Sequence, residues 1–346
     1  MTDYKVIGID LAKIKFHLVA FNEQSEIALT KALKRNDFFT VFLPRLKAPQ
    51  TFAFEACAGS SYMAQKLTEQ GHRCILLKPR DVKPYARSRQ KNDINDAIAI
   101  CKAALDPELM HVRPKTRAQQ EVAYLHKARQ NTIQQRIQRS NALMSSLFEF
   151  GYLVVAGKTK FARQAMFYVQ EALEQKSITQ AVYQEMIRDC REIDQLFERE
   201  KVLDQAIVQS NKESPEAQVL MRIPGIGPIN ASILSNKPME IYETAKDFAA
   251  SLGLVPKQNT TGGTISLGSI SKQGDRYART MLIQAGRAIV MRSFKPKVPT
   301  DSLYQFVERL KQRGKRYNVI CVAVANKLAR IAYACLMHKT DYRTNK

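Results

Sequence analysis

Four carboxylates in the first hundred residues have types and positions that could support metal-dependent chemistry. Asp10 ends one β-prone run and Glu55 ends a second, mostly apolar run. Asp93 and Asp96 lie three residues apart, so on a helix they share one face. Like charges gather only with cations nearby, and oxygen ligands favour Mg²⁺ or Mn²⁺. A pair of such ions can activate the attacking oxygen and stabilise the leaving oxygen of a phosphodiester.

Each acidic residue also has a plainer interpretation. Asp10 could cap a turn, Asp93 could favour the positive end of a helix dipole, and Asp96 could be solvated. Glu55 is harder to explain, because a carboxylate within the apolar stretch FAFEA needs a partner. The joint placement of the four residues therefore favours one shared site, with all four as metal ligands and catalytic groups.

The elements that must position these residues alternate between strands and helices. Three β-prone runs at 5–10, 16–21 and 26–33 indicate an antiparallel meander, and residues 37–46 look helical. The pattern then predicts a strand, a helix, a strand and a helix, at 51–56, 60–71, 73–79 and 92–105. The order βββαβαβα is that of an α/β ribonuclease H-like (RuvC-like) domain, whose first and fourth strands are neighbours. The pattern alone leaves open an α/β domain of another type.

The remainder of the chain reads as mainly helical. A proline-bearing linker at 106–116 precedes two long helices, at 117–150 and 179–212, which we expect to form an antiparallel coiled-coil arm. A Gly/Thr/Ser-rich loop follows at 257–274 within a mainly α region. We therefore predict three domains: a RuvC-like catalytic domain, a helical arm and a C-terminal domain, at 1–110, 115–212 and 216–346.

The charge balance favours a polyanionic partner. The chain has 54 Lys and Arg against 32 Asp and Glu, a net charge of +22, which favours binding to a phosphate-bearing polyanion through release of counterions. Residues 220–234 resemble a helix–hairpin–helix element, in which Gly225 and Gly227 would expose backbone N–H groups to phosphate. A basic face for phosphate contacts is predicted at Lys272, Arg276 and Arg279. Tight helix packing and a solvated surface are the plainer alternatives.

Composition also excludes several classes of protein. No apolar run reaches the roughly 18 residues of a membrane span, so no membrane partner is expected. The N-terminal segment reads as a strand rather than a signal peptide. The six cysteines form no CxxC pair and the five histidines are scattered, so a zinc site is not expected. These features predict a cytoplasmic, nucleoid-associated bacterial protein.

Six ordered segments carry a family resemblance. They are GIDLAK (8–13), FEACAGSSY (54–62), KPRDVKPYARSRQKNDINDAIAI (78–100), IPGIG (223–227), DFAASLGLVP (247–256) and LGSISKQGDRYART (267–280). Together they resemble the DEDD transposases of the insertion-sequence one-ten family, in its one-one-one-one subgroup. Piv-type DNA invertases are related to that family. Each segment alone is weak, but their order across most of the chain is specific.

The resemblance implies a RuvC-like active site made of the four acidic residues, with Mg²⁺ or Mn²⁺ as cofactor. It also implies a nucleophilic serine in the C-terminal domain that links covalently to DNA. Members of the family use a structured non-coding RNA from their own element to select donor and target DNA. They assemble as dimers and tetramers, so a homo-oligomer is expected here.

The chain departs from the family at the predicted nucleophile. Relatives have Ser-Ser or Ser-Gly where this chain has Thr260, Thr261 and Gly262, and Thr261 aligns best with the serine. A threonine hydroxyl can act as an activated nucleophile, although its β-methyl group crowds the attack. Other candidate hydroxyls nearby are Ser266, Ser269 and Ser271. A turn or RNA-binding loop without chemistry is the plainer interpretation.

The sequence thus predicts a transposase or site-specific recombinase that cleaves and exchanges strands of an insertion sequence. Its acidic site would work with a C-terminal hydroxyl across an oligomer. A Piv-like invertase, a junction-cleaving nuclease and a non-catalytic nucleic-acid scaffold are the alternatives. A sugar-kinase-like phosphotransferase is disfavoured, because DLAKIK follows the first strand in place of a glycine-rich phosphate loop.

Overall fold

The computed structural model describes residues 4–47, 49–86, 92–155, 157–261, 264–295 and 301–343. Within it the chain forms two compact units, Met1–Gln120 and Glu121–Lys346. The second unit contains both the predicted arm and the predicted C-terminal domain. The three domain boundaries drawn from the sequence therefore stay a prediction.

A five-stranded sheet forms the centre of the first unit. Its strands are β1 (Val6–Leu11), β2 (Lys15–Phe21), β3 (Ile27–Lys34), β4 (Thr51–Glu55) and β5 (Arg73–Leu77). They lie in the order β3-β2-β1-β4-β5. The first three strands form an antiparallel meander, while β4 pairs parallel to β1 and β5 parallel to β4. The predicted meander and the predicted pairing of the first and fourth strands are confirmed.

The centre of the sheet is buried on both faces, because its central strands are almost continuously apolar and successive side chains point to opposite faces. On one face, Ile7 and Ile9 of β1 pack with Phe52 and Phe54 of β4. On the other face, Ala53 and its neighbours pack against the helix that follows β5. Residues of β1, β2 and β4 that project from this second face therefore point towards that helix.

Four helices accompany the sheet: α1 (Arg35–Asp37), α2 (Ser60–Glu69), α3 (Pro79–Val82) and α4 (Asp93–Ala104). The segment after α1 continues as a π-helical turn and a 3-10 turn, so the helix predicted at 37–46 is present but irregular. Phe38 in this segment is buried and contacts the rings of Phe16 and Phe52 edge-on. α4 begins after Asn92, whose side chain accepts a hydrogen bond from the Ile94 N–H.

The second unit is mainly helical. Its helices are α5 (Arg117–Glu149), α6 (Phe161–Glu174), α7 (Gln180–Lys212), α8 (Pro215–Met221), α9 (Pro228–Ser235), α10 (Ala245–Ser251), α11 (Arg276–Arg292), α12 (Ser302–Gln312) and α13 (Tyr317–Met337). α5 begins a few residues before the unit boundary. A two-stranded antiparallel hairpin, β6 (Pro256–Thr261) and β7 (Thr264–Ile270), lies between α10 and α11.

Ion pairs show that α5 and α7 run antiparallel, as expected for the arm. Arginines later in α5 pair with acidic residues earlier in α7. The pairs are Arg129–Asp204, Arg136–Glu200 and Arg139–Asp189. Glu200 is buried, and Lys158 Nζ lies 2.6 Å from its second carboxylate oxygen. Coiled-coil supercoiling of the two helices stays a prediction.

A buried polar network lies among α5, α9 and α11. His126 is buried, with Nε2 2.9 Å from Ser232 Oγ and Nδ1 3.4 Å from Tyr277 Oη. Burial, followed by the charge of Arg129, lowers the pKa of His126 to about 4. His126 is therefore held neutral at pH 7 as part of the packing of these helices.

Helix α13 lies in the core of the C-terminal part of this unit. It is long and apolar enough to cross a membrane, which the absence of an uninterrupted apolar run in the sequence did not predict. The mean hydropathy of its most apolar 18-residue stretch is high although Lys327 and Arg330 interrupt the apolar run in the sequence. Half of that stretch is buried inside the protein, and Val324 and Leu328 are fully buried. The core helix of a soluble protein can be as long and as apolar as a helix that spans a membrane.

Candidate active site

Three polar side chains project from the sheet face that α4 covers. Asp10 lies two residues after Gly8 on β1, His17 is paired with Asp10 across β1 and β2, and Glu55 lies two residues after Ala53 on β4. Strand residues two apart share a face, and so do directly paired residues. Asp10, His17 and Glu55 are therefore brought to the same edge, beside the start of α4.

Helix α4 supplies the remaining two carboxylates from its first turn. Asp93 is its first residue and Asp96 its fourth. Ligand atoms of Asp10, His17 and Asp93 lie within 4.8 Å of one another, a spacing that could hold a metal ion. Asp93 is largely exposed, whereas Asp10, Glu55 and Asp96 are half-buried. The site opens to solvent on the side of Asp93.

The electrostatics of Glu55 show that these carboxylates affect one another. Burial raises the pKa of Glu55, and the charges of Asp10 and Asp96 raise that pKa further. Among the residues that the structure describes, no lysine or arginine forms an ion pair with Glu55 or Asp96. The four predicted acidic residues therefore lie in one neighbourhood, where like charges act on Glu55.

Gly8 permits the close approach of α4 that places Asp93 and Asp96 near Asp10. A Cβ atom at Gly8 would lie 2.5 Å from both the Ala97 carbonyl oxygen and Cys101 Sγ. The Gly8 N–H donates to Cys101 Sγ at 3.1 Å, and that thiol donates to the Val19 carbonyl oxygen at 3.2 Å. The sequence offered a signal for this role, since a glycine inside a strand often marks close approach of another backbone.

The predicted hydroxyl nucleophile lies in the second unit. Thr261 is the last residue of β6 and is paired with Thr264, whereas Gly262 and Gly263 lie outside the described residues. The preceding Thr260 is exposed, and its Oγ1 accepts a hydrogen bond from Gln258 Nε2 at 3.2 Å. The alternative hydroxyls at Ser266 and Ser269 are exposed on β7 and Ser271 is half-buried beyond it.

The predicted hairpin between two helices is present as α8, a turn and α9. Gly225 has a φ of 81°, and a Cβ there would lie 2.6 Å from Ile289 Cδ1 on α11. Gly227 precedes the first residue of α9 and has open space around it. Gly225 therefore serves close packing, while Gly227 leaves the N-terminus of α9 accessible. Phosphate binding by this hairpin stays a prediction.

The three predicted basic residues do not form one helical face. Lys272 lies in the loop before α11, with a φ of 56°, and Arg276 is the exposed first residue of the helix. Arg279 is buried, and its Nη1 donates to the carbonyl oxygens of Leu252 and Gln273 at 2.9 and 2.7 Å. Arg279 thus holds the loop that leads from the hairpin into α11, which leaves Lys272 and Arg276 as the exposed pair.

Comparison with known proteins now defines the class of the chain. A family model for DEDD transposases of the IS110 type matches residues 7–151, and a model described as the transposase IS116/IS110/IS902 family matches residues 217–302. The first match contains all four acidic residues, and the second contains the β6–β7 hairpin. Both matches assign the chain to the transposases.

Full-length relatives agree with these matches. The chain is 37% identical over 343 residues to a probable family 20 transposase of Pseudomonas aeruginosa, covering 97% of this chain and 98% of the relative. It is 31% identical over 350 residues to the transposase for insertion sequence element IS1111A of Coxiella burnetii, covering 99% and 92%. The protein belongs to the IS110 family of transposases.

A pilin gene-inverting protein of Moraxella bovis is also similar, at 26% identity. That match spans 147 residues, or 40% of this chain and 44% of the relative. The invertase alternative is therefore supported over less than half of the chain, whereas the transposase relatives match nearly all of it.

Proposed function

We propose that this protein is the transposase of an insertion sequence and that it cleaves and exchanges DNA strands at the acidic cluster of its first unit. The observation that carries this proposal is the meeting of Asp10, Glu55, Asp93 and Asp96 beside one end of the sheet, where burial and then the charges of Asp10 and Asp96 raise the pKa of Glu55. The net charge of +22 elsewhere on the chain suits a DNA substrate.

The donor set fits a divalent ion. Several oxygen donors of like charge lie close together, which is the environment that Mg²⁺ and Mn²⁺ prefer. Asp10, Glu55, Asp93 and Asp96 would hold the metal. When bound, such ions lower the pKa of a coordinated water and polarise the phosphodiester. The chain's own contribution is to fix the carboxylates on two adjacent strands and one helix, and so to pre-organise them.

The fold of the first unit supports a ribonuclease H-like, and more narrowly RuvC-like, assignment. Its strand order is β3-β2-β1-β4-β5, and β2 alone runs opposite to the other four strands, as expected for such a domain. In this assignment the acidic residues occupy the end of β1, the end of β4 and the start of the last helix of the domain. The antiparallel helices α5 and α7 would form the coiled-coil arm of the same protein.

We further propose that Thr261 supplies a hydroxyl for strand exchange. Its position as the last residue of β6, directly after the exposed Thr260, supports this role, and the family resemblance puts a serine there. Lys272 and Arg276, which follow the hairpin and are exposed, would contact phosphates, as would the N–H groups at Gly227.

The partners that we propose are donor and target DNA, a structured RNA encoded by the element, and further copies of the chain as a dimer or tetramer. The RNA and the oligomer are proposed from the family resemblance. The large positive charge is compatible with binding both nucleic acids. Such a protein would act in the cytoplasm at the nucleoid.

Excision and insertion of the cognate element, with its flanking RNA, test these assignments in cells. Asp10→Asn and Glu55→Gln should each abolish recombination while protein level and DNA binding persist. Glu69→Gln is the matched control, because this exposed glutamate of the first unit pairs with Lys66 three residues earlier, on the surface of α2. Full activity in both site variants would leave a binding scaffold and overturn the catalytic proposal.

The same assay separates the candidate hydroxyls. Thr261→Ala should abolish recombination, Thr261→Ser should retain or raise it, and Thr260→Ala should be tolerated. Activity in Thr261→Ala would transfer the role to Ser266 or Ser269, or to a route that uses the metal site alone.

A further inference from the structure

A histidine lies inside the acidic cluster, and neither the family matches nor the four-carboxylate motif assigns it a role. His17 is paired directly with Asp10 across β1 and β2, so both side chains leave the same face of the sheet. Its side chain is only 16% exposed, and its Nδ1 lies 3.2 Å from Asp93 Oδ2. His17 therefore stands between a carboxylate of the sheet and a carboxylate of α4.

The surroundings of this nitrogen are unusual for a buried polar atom. The distance to Asp93 is short enough for an ion pair, but Nδ1 has no partner with hydrogen-bond geometry among the described residues. A buried nitrogen without a hydrogen-bond partner destabilises a protein, because its lost hydrogen bond to water is not replaced. An imidazole in this position thus lacks the hydrogen bond that would explain its burial as part of the core.

The spacing suits two neighbouring ligands of one cation. Adjacent ligands of an octahedral ion with bonds near 2.1 Å lie roughly 3 Å apart. Nδ1 of His17 and Oδ2 of Asp93 are 3.2 Å apart, and a ligand oxygen of Asp10 lies within 4.8 Å of both. A nitrogen lone pair and two carboxylates could therefore bind the same ion.

We propose that His17 is a ligand of the divalent ion and that this imidazole makes the site prefer Mn²⁺ over Mg²⁺. The inference rests on the proposed metal site and adds a nitrogen ligand to it. Imidazole binds transition-metal ions well, whereas Mg²⁺ prefers oxygen ligands and water. Replacing His17 should therefore weaken Mn²⁺ binding more than Mg²⁺ binding.

Pulsed electron paramagnetic resonance of Mn²⁺ bound to the full-length protein tests coordination directly, independently of activity. A coordinated imidazole couples its ¹⁴N nucleus to the Mn²⁺ electron spin. We expect ¹⁴N modulation in the wild type and in His111→Gln, which alters an exposed histidine of the same unit. The modulation should be lost in His17→Gln. Labelling the wild type with ¹⁵N-histidine should also convert the signal, without any substitution.

Titration of the same proteins gives the selectivity. The dissociation constant for Mn²⁺ should rise at least about tenfold in His17→Gln, since even the loss of a group that supports a ligand has that effect. The dissociation constant for Mg²⁺, measured by competition, should change less. Asp10→Asn should weaken both.

Three outcomes decide the inference. Bound Mn²⁺ without ¹⁴N coupling in the wild type would overturn the role of His17 and leave the carboxylate site intact. Coupling that persists in His17→Gln would overturn it as well. Absence of Mn²⁺ and Mg²⁺ binding to the wild type would instead overturn the proposed metal site, and with it this inference.

Discussion

A half-buried glutamate in the first unit and a buried glutamate in the second unit have neighbours of opposite charge. Glu55 lies beside Asp10 and Asp96, and burial together with these charges raises its pKa. Glu200 lies between α5 and α7, where burial alone would raise its pKa, but Lys158 and Arg136 hold the pKa below its ordinary value. The charge of Glu200 is thus balanced by basic side chains in the arm. Among the described residues, no lysine or arginine forms an ion pair with Glu55 in the sheet. An uncompensated group is retained when it serves binding or chemistry rather than stability.

The largest effect should come from removing the uncompensated charge. Glu55→Gln keeps the size of the side chain but replaces a charged ligand, so recombination should fall about a thousandfold or more. Quantitative excision assays measure this loss, with Glu69→Gln as the exposed control in the same unit. Activity within tenfold of the wild type would remove Glu55 from the active site.

The same substitution in the arm should affect stability instead. Arg136 is nearly buried, and Glu200→Gln removes the charge that pairs with it. This substitution should lower the free energy of unfolding by about 3–5 kcal/mol. Urea denaturation measures the change. Glu198→Gln is the matched control, because Glu198 and Lys201 form an exposed pair whose loss should cost less than about 1 kcal/mol. Equal effects of the two variants would show that the buried pair is not a structural element.

A smaller, pH-dependent effect should come from His126 in the second unit. Its folded pKa is about 4, below the unfolded value of 6.5, so the unfolded chain takes up the proton first as the pH falls. The effect of His126 on the free energy of unfolding does not change with pH above about pH 6.5. As the pH falls from there towards 4, the free energy of unfolding decreases, by about 2 kcal/mol at pH 4.5. Denaturation of the wild type and His126→Gln from pH 7.5 to 4.5 measures it. A parallel pH dependence in both proteins would assign the loss to other groups.

The smallest effect is on stability: Glu55→Gln should change the free energy of unfolding in the direction opposite to Glu200→Gln. Removing its charge ends the cost of burying that charge and also relieves the repulsion from Asp10 and Asp96. Without metal, Glu55→Gln should therefore be as stable as the wild type or more stable, by up to about 1 kcal/mol. Denaturation in the presence of a chelator checks the sign. A clear destabilisation would mean that the Glu55 carboxylate has a stabilising partner, contrary to the contrast with Glu200.

The sequence predicted much of the first unit, because local patterns determine it. Alternation along β1 and β4 and the helical spacing after Asp93 place the four carboxylates on identifiable elements. His17 was missed, because its importance depends on the pairing of β1 with β2, which brings it opposite Asp10. Strand register is a tertiary property that is not visible at a scattered histidine.

The second unit was less predictable for a similar reason. Arg279 appears in the sequence as one of three basic residues, yet tertiary packing turns it inward onto the Leu252 and Gln273 carbonyl oxygens. Lys272 is only four residues before Arg276, but the helix begins after it. Spacing alone does not show where a helix starts, because Asp275 sets that point by capping the helix N-terminus.

Stability with and without Mn²⁺ tests most directly whether the acidic cluster of Asp10, Glu55, Asp93 and Asp96 is a metal site. The free energy of unfolding should be measured for the wild type, Glu55→Gln and Glu200→Gln at increasing Mn²⁺. We expect Mn²⁺ to stabilise the wild type and Glu200→Gln alike, by about 2.7 kcal/mol at a hundred times the dissociation constant, and Glu55→Gln far less. Equal stabilisation of all three proteins, or of none, would contradict a metal site at Glu55.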